Sequence, residues 1–91
     1  MLTLKEMQDL VGIQGETAFI EAVYRQFTDQ TIVLICDDEF LLKGYKPSCR
    51  TRTGLVLHGQ VLALALSTTE PDFCLLTERQ FQIVKAELKV I

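Results

Sequence analysis

The sequence predicts an α+β fold: a mostly antiparallel β-sheet of three to five strands, with an N-terminal and a C-terminal helix packed on one of its faces. Two observations lead to this prediction. The apolar run at residues 32–36 ends at two carboxylates, Asp37 and Asp38, and is typical of a strand covered on both faces. Capping boxes pair Thr3 with Glu6 and Thr77 with Gln80, and each is followed by apolar residues at helical spacing. We therefore expect a central strand between two helices.

Length and composition indicate that residues 1–91 form a single small α+β domain. The hydrophobic fraction of 48% and the charged fraction of 23% are ordinary for a globular protein and argue against disorder. A chain of 91 residues is too short for a second core. Because so small a domain buries little apolar surface, this composition is also consistent with a homo-oligomer that buries more.

Charge and cysteine content narrow the class of protein. A net charge of −3 argues against non-specific binding of nucleic acid by the whole surface. The three cysteines have no CxxC or Cys/His spacing, which favours a reducing compartment over a disulfide scaffold or a zinc site. The N-terminus lacks a signal-peptide pattern, and the longest apolar run, residues 61–66, is far shorter than the roughly 20 residues of a membrane-spanning helix. We expect a cytoplasmic protein with no cofactor and no membrane contact.

The N-terminal third predicts a helix and then a hairpin. The first helix should span Leu4–Val11, with Gly12 ending it in a left-handed conformation. After a connection at residues 13–17, apolar and polar side chains alternate over residues 18–27 as in a half-buried strand, although a helix is the alternative. A polar turn at residues 28–30 would join this strand to the central one as an antiparallel hairpin.

The rest of the chain predicts short strands around a polar loop. A turn at residues 37–39 and a strand at residues 40–42 should precede a loop at residues 43–54, which is bounded by two glycines. Residues 55–66 then predict a strand or a pair of strands, with a bulge or a close backbone approach at Gly59.

A second loop at residues 67–72 should lead to the last helix, at residues 78–88. We expect its buried stripe to consist of Phe81, Val84 and Leu88. The cations near its carboxyl end, which the helix dipole favours, are Lys85 and Lys89.

The loop at residues 43–54 is the strongest functional signal. It holds four of the nine basic residues of the chain: Lys43, Lys46, Arg50 and Arg52. Guanidinium and ammonium groups on glycine-flanked backbone suit the recognition of phosphate. Alternatively the loop is only solvated surface, because its cations can form exposed ion pairs with the neighbouring acidic residues Asp37, Asp38 and Glu39.

Other chemistry has less support in the sequence. Cys49 and His58 could act as nucleophile and base, but no orienting third group stands at a recognisable spacing. The acidic residues 37–39 could attract a hard cation, but three consecutive residues cannot converge on one ion, so a turn is favoured. We therefore expect no enzyme activity, no catalytic residues and no metal ligands. Three aromatic residues could stack on a base, although in so small a domain they usually pack: Tyr24, Phe40 and Tyr45.

Nearly the whole chain resembles a family, the domain of unknown function DUF3846. Five short segments of the family have counterparts here in the same order. The family segments are "lqelVGGyIEav", "alicNEEgklkgl", "PxNR", "Gdvv" and "fvsLteeQ". Their counterparts in this chain are LKEMQDLVG with FIEAVY, IVLICDDE with LKG, PSCR, HGQV and DFCLLTERQ. Three departures stand out. This chain lacks the strand that many members have before the first helix, Cys49 replaces an Asn, and Gln60 replaces an Asp. The resemblance implies an accessory protein of plasmids, phages or conjugative elements, acting on a host system, but no known reaction.

Two classes of function follow from these observations. The first is a small non-catalytic binding module that holds a phosphate-bearing ligand, a nucleotide or a nucleic-acid end through Lys43, Lys46, Arg50 and Arg52. The second is a protein-interaction module that docks on a partner such as a host protein through a sheet edge or a helix face, with no small-molecule ligand.

Overall fold

The computed structural model describes residues 3–12, 19–67 and 73–91. In chain order the elements are α1 (Leu4–Val11), β1 (Ile20–Val23), β2 (Ile32–Asp37), β3 (Pro47–Arg50), β4 (Val56–His58), β5 (Leu62–Leu66), β6 (Phe73–Cys74), α2 (Glu78–Glu87) and β7 (Lys89–Val90). The strands form two antiparallel sheets, one of four strands in the order β1-β2-β5-β6 and one of three in the order β4-β3-β7. The α+β class is confirmed, with the strands divided between two sheets. The connection predicted at residues 13–17, and the loop predicted at residues 67–72 beyond its first residue, lie outside the described residues.

Strand β2 is the centre of the larger sheet, as the apolar run predicts. All six of its residues are buried, and β1 and β5 pair with its two edges. Alternate side chains face two separate apolar clusters, because successive residues of a strand point to opposite faces. Burying one such side chain fully contributes about 1.5–3 kcal/mol to folding, so this strand dominates the core. The predicted antiparallel pairing of β1 with β2 is confirmed, but β1 ends at Val23, before the predicted end at residue 27, so the connection covers residues 24–31 and not only the predicted turn at residues 28–30.

The two helices cover opposite faces of β2. Met7 and Val11 of α1 pack with Val33 and Ile35 on one face. On the other face Ile32, Leu34 and Cys36 form a cluster with Cys49 and Leu57 of the smaller sheet, and the residues of α2 and its C-terminal cap that pack against it are Ile83, Val84 and Leu88. The prediction that both helices share one face is therefore wrong. A strand that is apolar on both sides needs cover on both, and one helix cannot supply it.

Both capping boxes form as predicted. The Thr3 hydroxyl accepts from the Glu6 amide at 3.1 Å, and the Thr77 hydroxyl accepts from the Gln80 amide at 3.2 Å, with the reciprocal bonds also present. The predicted left-handed end of α1 is wrong, because Gly12 is extended at φ −65° and ψ 144°. Its amide still donates to the Gln8 carbonyl at 2.9 Å, which closes the helix without a positive φ.

The stripe predicted for the last helix is correct only in part. Val84 and Leu88 pack on the core, and Ile83 packs beside them. Phe81 is 46% exposed, and the Lys85 ammonium lies 5.4 Å from the centroid of its ring. A cation above an aromatic ring is stabilised there, so the exposed ring and the lysine four residues later form a surface pair.

The structure revises the segment between β2 and β4. Residues 40–42, predicted as a strand, belong to a turn at residues 38–44 that contains a hydrogen bond from the Lys43 amide to the Glu39 carbonyl at 2.9 Å. The predicted loop 43–54 contains strand β3, whose Cys49 is buried between β4 and β7. Pairing on both edges therefore holds an extended conformation that the local polar sequence does not specify.

Gly59 marks the predicted close backbone approach between β4 and β5. Its φ is +77°, and a Cβ at this position would lie 2.7 Å from Cδ2 of Tyr45. A side chain would meet both the unfavourable φ and this ring. Glycine thus permits the chain to leave the smaller sheet and enter the larger one.

Candidate functional site

A cavity of about 430 Å³ lies where the tip of the β3–β4 hairpin meets the end of α2 and strand β7. The hairpin supplies two arginines, and the C-terminal segment supplies a glutamate and a lysine. The full set of lining residues is Arg50, Thr51, Arg52, Gly54, Ala86, Glu87 and Lys89. Three cations and one carboxylate therefore surround a single depression.

Arg50 and Lys89 are brought together by strand pairing. The antiparallel register of β3 and β7 places the two residues directly opposite each other. Directly paired residues of antiparallel strands project to the same face, where like charges repel. Neither side chain has a hydrogen bond or an ion pair with any residue in the described part of the chain. The two cations thus form an uncompensated pair at the cavity.

Arg52, the third cation, interacts with the one carboxylate of the cavity. Its Nε lies 3.5 Å from Oε1 of Glu87. Glu87 also accepts a hydrogen bond from the Thr28 amide at 2.9 Å and another from the Thr28 hydroxyl. The side-chain and backbone hydrogen bonds from Thr28, followed by the charge of Arg52, hold the pKa of Glu87 below its ordinary value. The carboxylate is therefore ionised at neutral pH.

The hairpin tip is held by a group of hydroxyl and amide side chains. The buried Thr51 hydroxyl donates to Oε1 of Gln26 at 2.8 Å and accepts from the Leu55 amide at 3.2 Å. The Thr53 hydroxyl donates to the same oxygen of Gln26 at 2.5 Å. Gln26 and Thr28 both lie in the connection between β1 and β2, so that connection supports both walls of the cavity. These hydrogen bonds hold the hairpin turn, and with it the two arginines, in one position.

The four basic residues singled out in the sequence do not lie together. Arg50 and Arg52 line the cavity, whereas Lys43 and Lys46 do not. Lys43 Nζ lies 2.7 Å from Oδ2 of Asp37, a carboxylate that is only 1% exposed. The expected pairing of a loop cation with Asp37 therefore occurs, but the pair is buried on its acidic side and not an exposed surface pair. Lys46 is exposed and lies before the first residue of β3, at the end of the strand away from Arg50.

Sequence reasoning missed the contribution of Lys89 and Glu87 to the site. Both follow Val84 in the C-terminal segment, where their spacing suggests only the polar end of a helix. No local signal shows that this segment returns to pair with β3, because strand register depends on non-local contacts. The cavity is therefore a product of tertiary structure.

The structure gives no support to a nucleophilic role for Cys49. The residue is buried, and burial raises the pKa of its thiol, so the reactive thiolate is scarce at neutral pH. Its proposed base, His58, directs Nδ1 to the Tyr45 carbonyl oxygen at 2.9 Å and stacks on Phe40 with centroids 4.9 Å apart. Within the described residues, no group of three or more His, Cys, Asp and Glu side chains could hold a metal ion.

Comparison with known proteins places the chain in a family. None of the helices in the described segments is long and apolar enough to cross a membrane. Searches of curated proteins and of solved structures gave no match. A sequence model described as "Domain of unknown function (DUF3846)" matches residues 1–89 of the 91. Because this match covers almost the whole chain, including every residue that lines the cavity, the protein belongs to the DUF3846 family.

Proposed function

We propose that this protein is a small non-catalytic module that binds a phosphate-bearing ligand in the cavity between the β3–β4 hairpin and β7. The observation that carries the proposal is the pair of Arg50 and Lys89, which lie opposite each other on β3 and β7 and have no charged partner among the described residues. Their repulsion lessens the stability of this edge of the smaller sheet. A bound anion would replace that repulsion with two attractive contacts.

The residue types suit phosphate. An arginine presents two parallel N–H donors that match two phosphate oxygens, and a lysine adds a mobile point charge. Arg52 adds a second guanidinium, which approaches Glu87 through Nε at 3.5 Å, so the donors on its two other nitrogens are available to a ligand. The volume of about 430 Å³ falls within the usual range for small-molecule sites, about 300–1,000 Å³.

The proposed site contains only some of the four basic residues that the sequence indicates. It retains Arg50 and Arg52, adds Lys89, and leaves out Lys43 and Lys46, which lie away from the cavity. A phosphate held by all three cavity cations would connect the hairpin to the C-terminal strand. Ligand binding should therefore also stabilise the fold.

Titration with sodium pyrophosphate, followed by backbone amide NMR shifts, tests the proposal. We expect shifts at residues 50–54 and 86–89, and a loss of binding in an Arg50→Ala/Arg52→Ala double variant. A Lys46→Ala/Lys85→Ala variant, which removes two cations away from the cavity, is the matched control and should bind as the wild type does. Affinity should fall as salt increases, because the contacts are partly exposed. Unchanged binding by the first variant would refute the proposal.

A protein-interaction module is the second candidate, and exposed apolar residues favour it. Leu41 and Leu42 are 70% and 85% exposed on the turn after β2, and Val90 is 88% exposed on β7, an outer strand of the smaller sheet. Outer strands offer backbone groups for pairing with another chain. A host protein or a second copy of this chain could occupy such a surface. Partner binding that survives the Arg50→Ala/Arg52→Ala change but is lost with Leu42→Ser would favour this candidate.

The accessory role in a mobile genetic element stays a prediction. It follows from the family resemblance, and the genomic neighbourhoods of family members would test it. Homodimer formation also stays a prediction, and sedimentation equilibrium measures it directly.

A further inference from the structure

Glu87 is an unusual lining residue for a cavity that binds an anion. Its carboxylate repels phosphate, yet it is held in place by the Thr28 amide and hydroxyl and by the charge of Arg52. An ionised carboxylate has about four acceptor positions, and Thr28 occupies two of them. The side chain is partly exposed at the cavity, so acceptor capacity remains for a ligand. A ligand that contains only phosphate makes no use of this remaining acceptor capacity of Glu87.

The charges of the cavity match one phosphate monoester. Three cations and one carboxylate leave a net charge of about +2 in the cavity. A phosphate monoester carries about −1.5 to −2 at pH 7, which would bring the site close to neutrality. A triphosphate would exceed this charge and would bring further negative groups towards Glu87.

The walls do not favour an aromatic base. Among the described residues that line the cavity, none is aromatic, and Ala86 is the one residue with a wholly apolar side chain. Proteins that hold bases commonly stack them on aromatic rings. The Thr51 hydroxyl is already occupied by Gln26 and the Leu55 amide, so the polar group that remains for a ligand hydroxyl is the Glu87 carboxylate.

From these observations, and resting on the proposed function, we infer that the ligand is the phosphate monoester of a sugar or another polyol, with its phosphate on Arg50 and Lys89 and a hydroxyl group donating to Glu87. Arg52 also lines the cavity and approaches the Glu87 carboxylate, so it adds a third cation beside the hydroxyl subsite. The carboxylate then gives selectivity among anions, whereas the cations give affinity.

Calorimetric titration with three probes tests this inference on the unaltered protein. Methyl phosphate is a monoester without hydroxyl groups, ribose 5-phosphate adds the polyol, and adenosine 5′-monophosphate adds a base. Because a hydrogen bond to a charged group is worth more than one between neutral groups, ribose 5-phosphate should bind about tenfold more tightly than methyl phosphate. Adenosine 5′-monophosphate should bind no more tightly than ribose 5-phosphate.

A Glu87→Gln variant adds a second readout. It should bind methyl phosphate at least as tightly as the wild type, because a repelling charge is removed, and it should lose the preference for ribose 5-phosphate. Glu78→Gln, which changes an exposed carboxylate at the other end of α2, is the matched control and should keep that preference. Thermal unfolding of each variant checks that the fold is retained.

The outcomes separate the two proposals. Equal binding of methyl phosphate and ribose 5-phosphate by the wild type, or a tenfold advantage for adenosine 5′-monophosphate, overturns the polyol inference and leaves the anion site intact. The same holds if Glu87→Gln keeps the wild-type preference for ribose 5-phosphate. If none of the three probes binds the wild type, the proposed function fails together with the inference.

Discussion

Replacing Lys89 by Glu should make the protein more stable and at the same time remove its anion site. The change turns a like-charge pair across β3 and β7 into an attractive pair, because Arg50 lies directly opposite. A favourable cross-strand pair is worth about 0.2–1 kcal/mol, and relief of the repulsion adds a similar amount. Because both side chains are exposed and screened by water, we expect a gain in the lower half of the summed range, about 0.5–1 kcal/mol. For a domain of this size that corresponds to an increase in Tm of about 2–8 °C.

Thermal unfolding followed by circular dichroism measures the gain. The increase in Tm should be largest in about 20 mM salt and should shrink in about 1 M salt, where the screening length falls to roughly 3 Å. Lys46→Glu is the matched control. It makes the same change in net charge at an exposed lysine that lies away from Arg50, so its Tm should change little.

Binding measurements complete the test. Lys89→Glu lowers the charge of the cavity from about +2 to about 0, so pyrophosphate should no longer bind. This result would mean that Lys89 lowers the stability of the wild-type protein but is needed for anion binding, as is common for residues in binding sites. A Tm that changes as little as that of the control, or pyrophosphate binding that survives, would contradict the view that the repulsion of Arg50 and Lys89 defines the site.

Three further predictions concern the fold. Gly59→Ala should lower the free energy of unfolding, measured with urea, by about 3 kcal/mol, because it combines a positive φ with a clash against Tyr45. Gly44→Ala has a similar φ but open space around its Cβ, so it should lower the same quantity by only about 1 kcal/mol. Thr77→Ala should lower the free energy of unfolding by about 1 kcal/mol, since it removes the cap of α2, and an unchanged urea midpoint would contradict this. Burial, and next the charge of Glu21, raise the pKa of the Cys36 thiol from 9.0 to about 11. The unfolded chain therefore loses this proton first, so stability should fall as pH rises from about 9 to 11, and a Cys36→Ala variant should show a flatter profile.

The helices could be predicted because their signals are local. The capping box at Thr77 and Gln80 lies within a single turn, and it forms with the expected bonds. The central strand was equally clear, since five apolar residues in succession need cover on both faces. Strand β3 was not predicted, because its extended form depends on pairing with β4 and β7 at residues distant in the chain.

The same distinction between local and non-local signals applies to the site. Basic residues in a glycine-flanked segment indicated Arg50 and Arg52 from composition alone. Composition could not separate them from Lys43, whose partner Asp37 is buried at the end of β2. Whether a cation meets a carboxylate or another cation is decided by register and turn geometry, which no short segment encodes.

The position of the cavity follows from the way β2 is covered. Among the described residues, α1 is the only element outside the larger sheet that packs on one face of β2. The other face is shared by α2 and the smaller sheet, and two elements that share one face leave a junction between them at its margin. At that margin the last turn of α2 leads into β7, which must pair with β3 next to the hairpin tip. The cavity between the hairpin and the C-terminal segment therefore arises because a helix and a sheet together cover one face of an apolar strand. The charged side chains that line the cavity can be changed by mutation without disturbing the core.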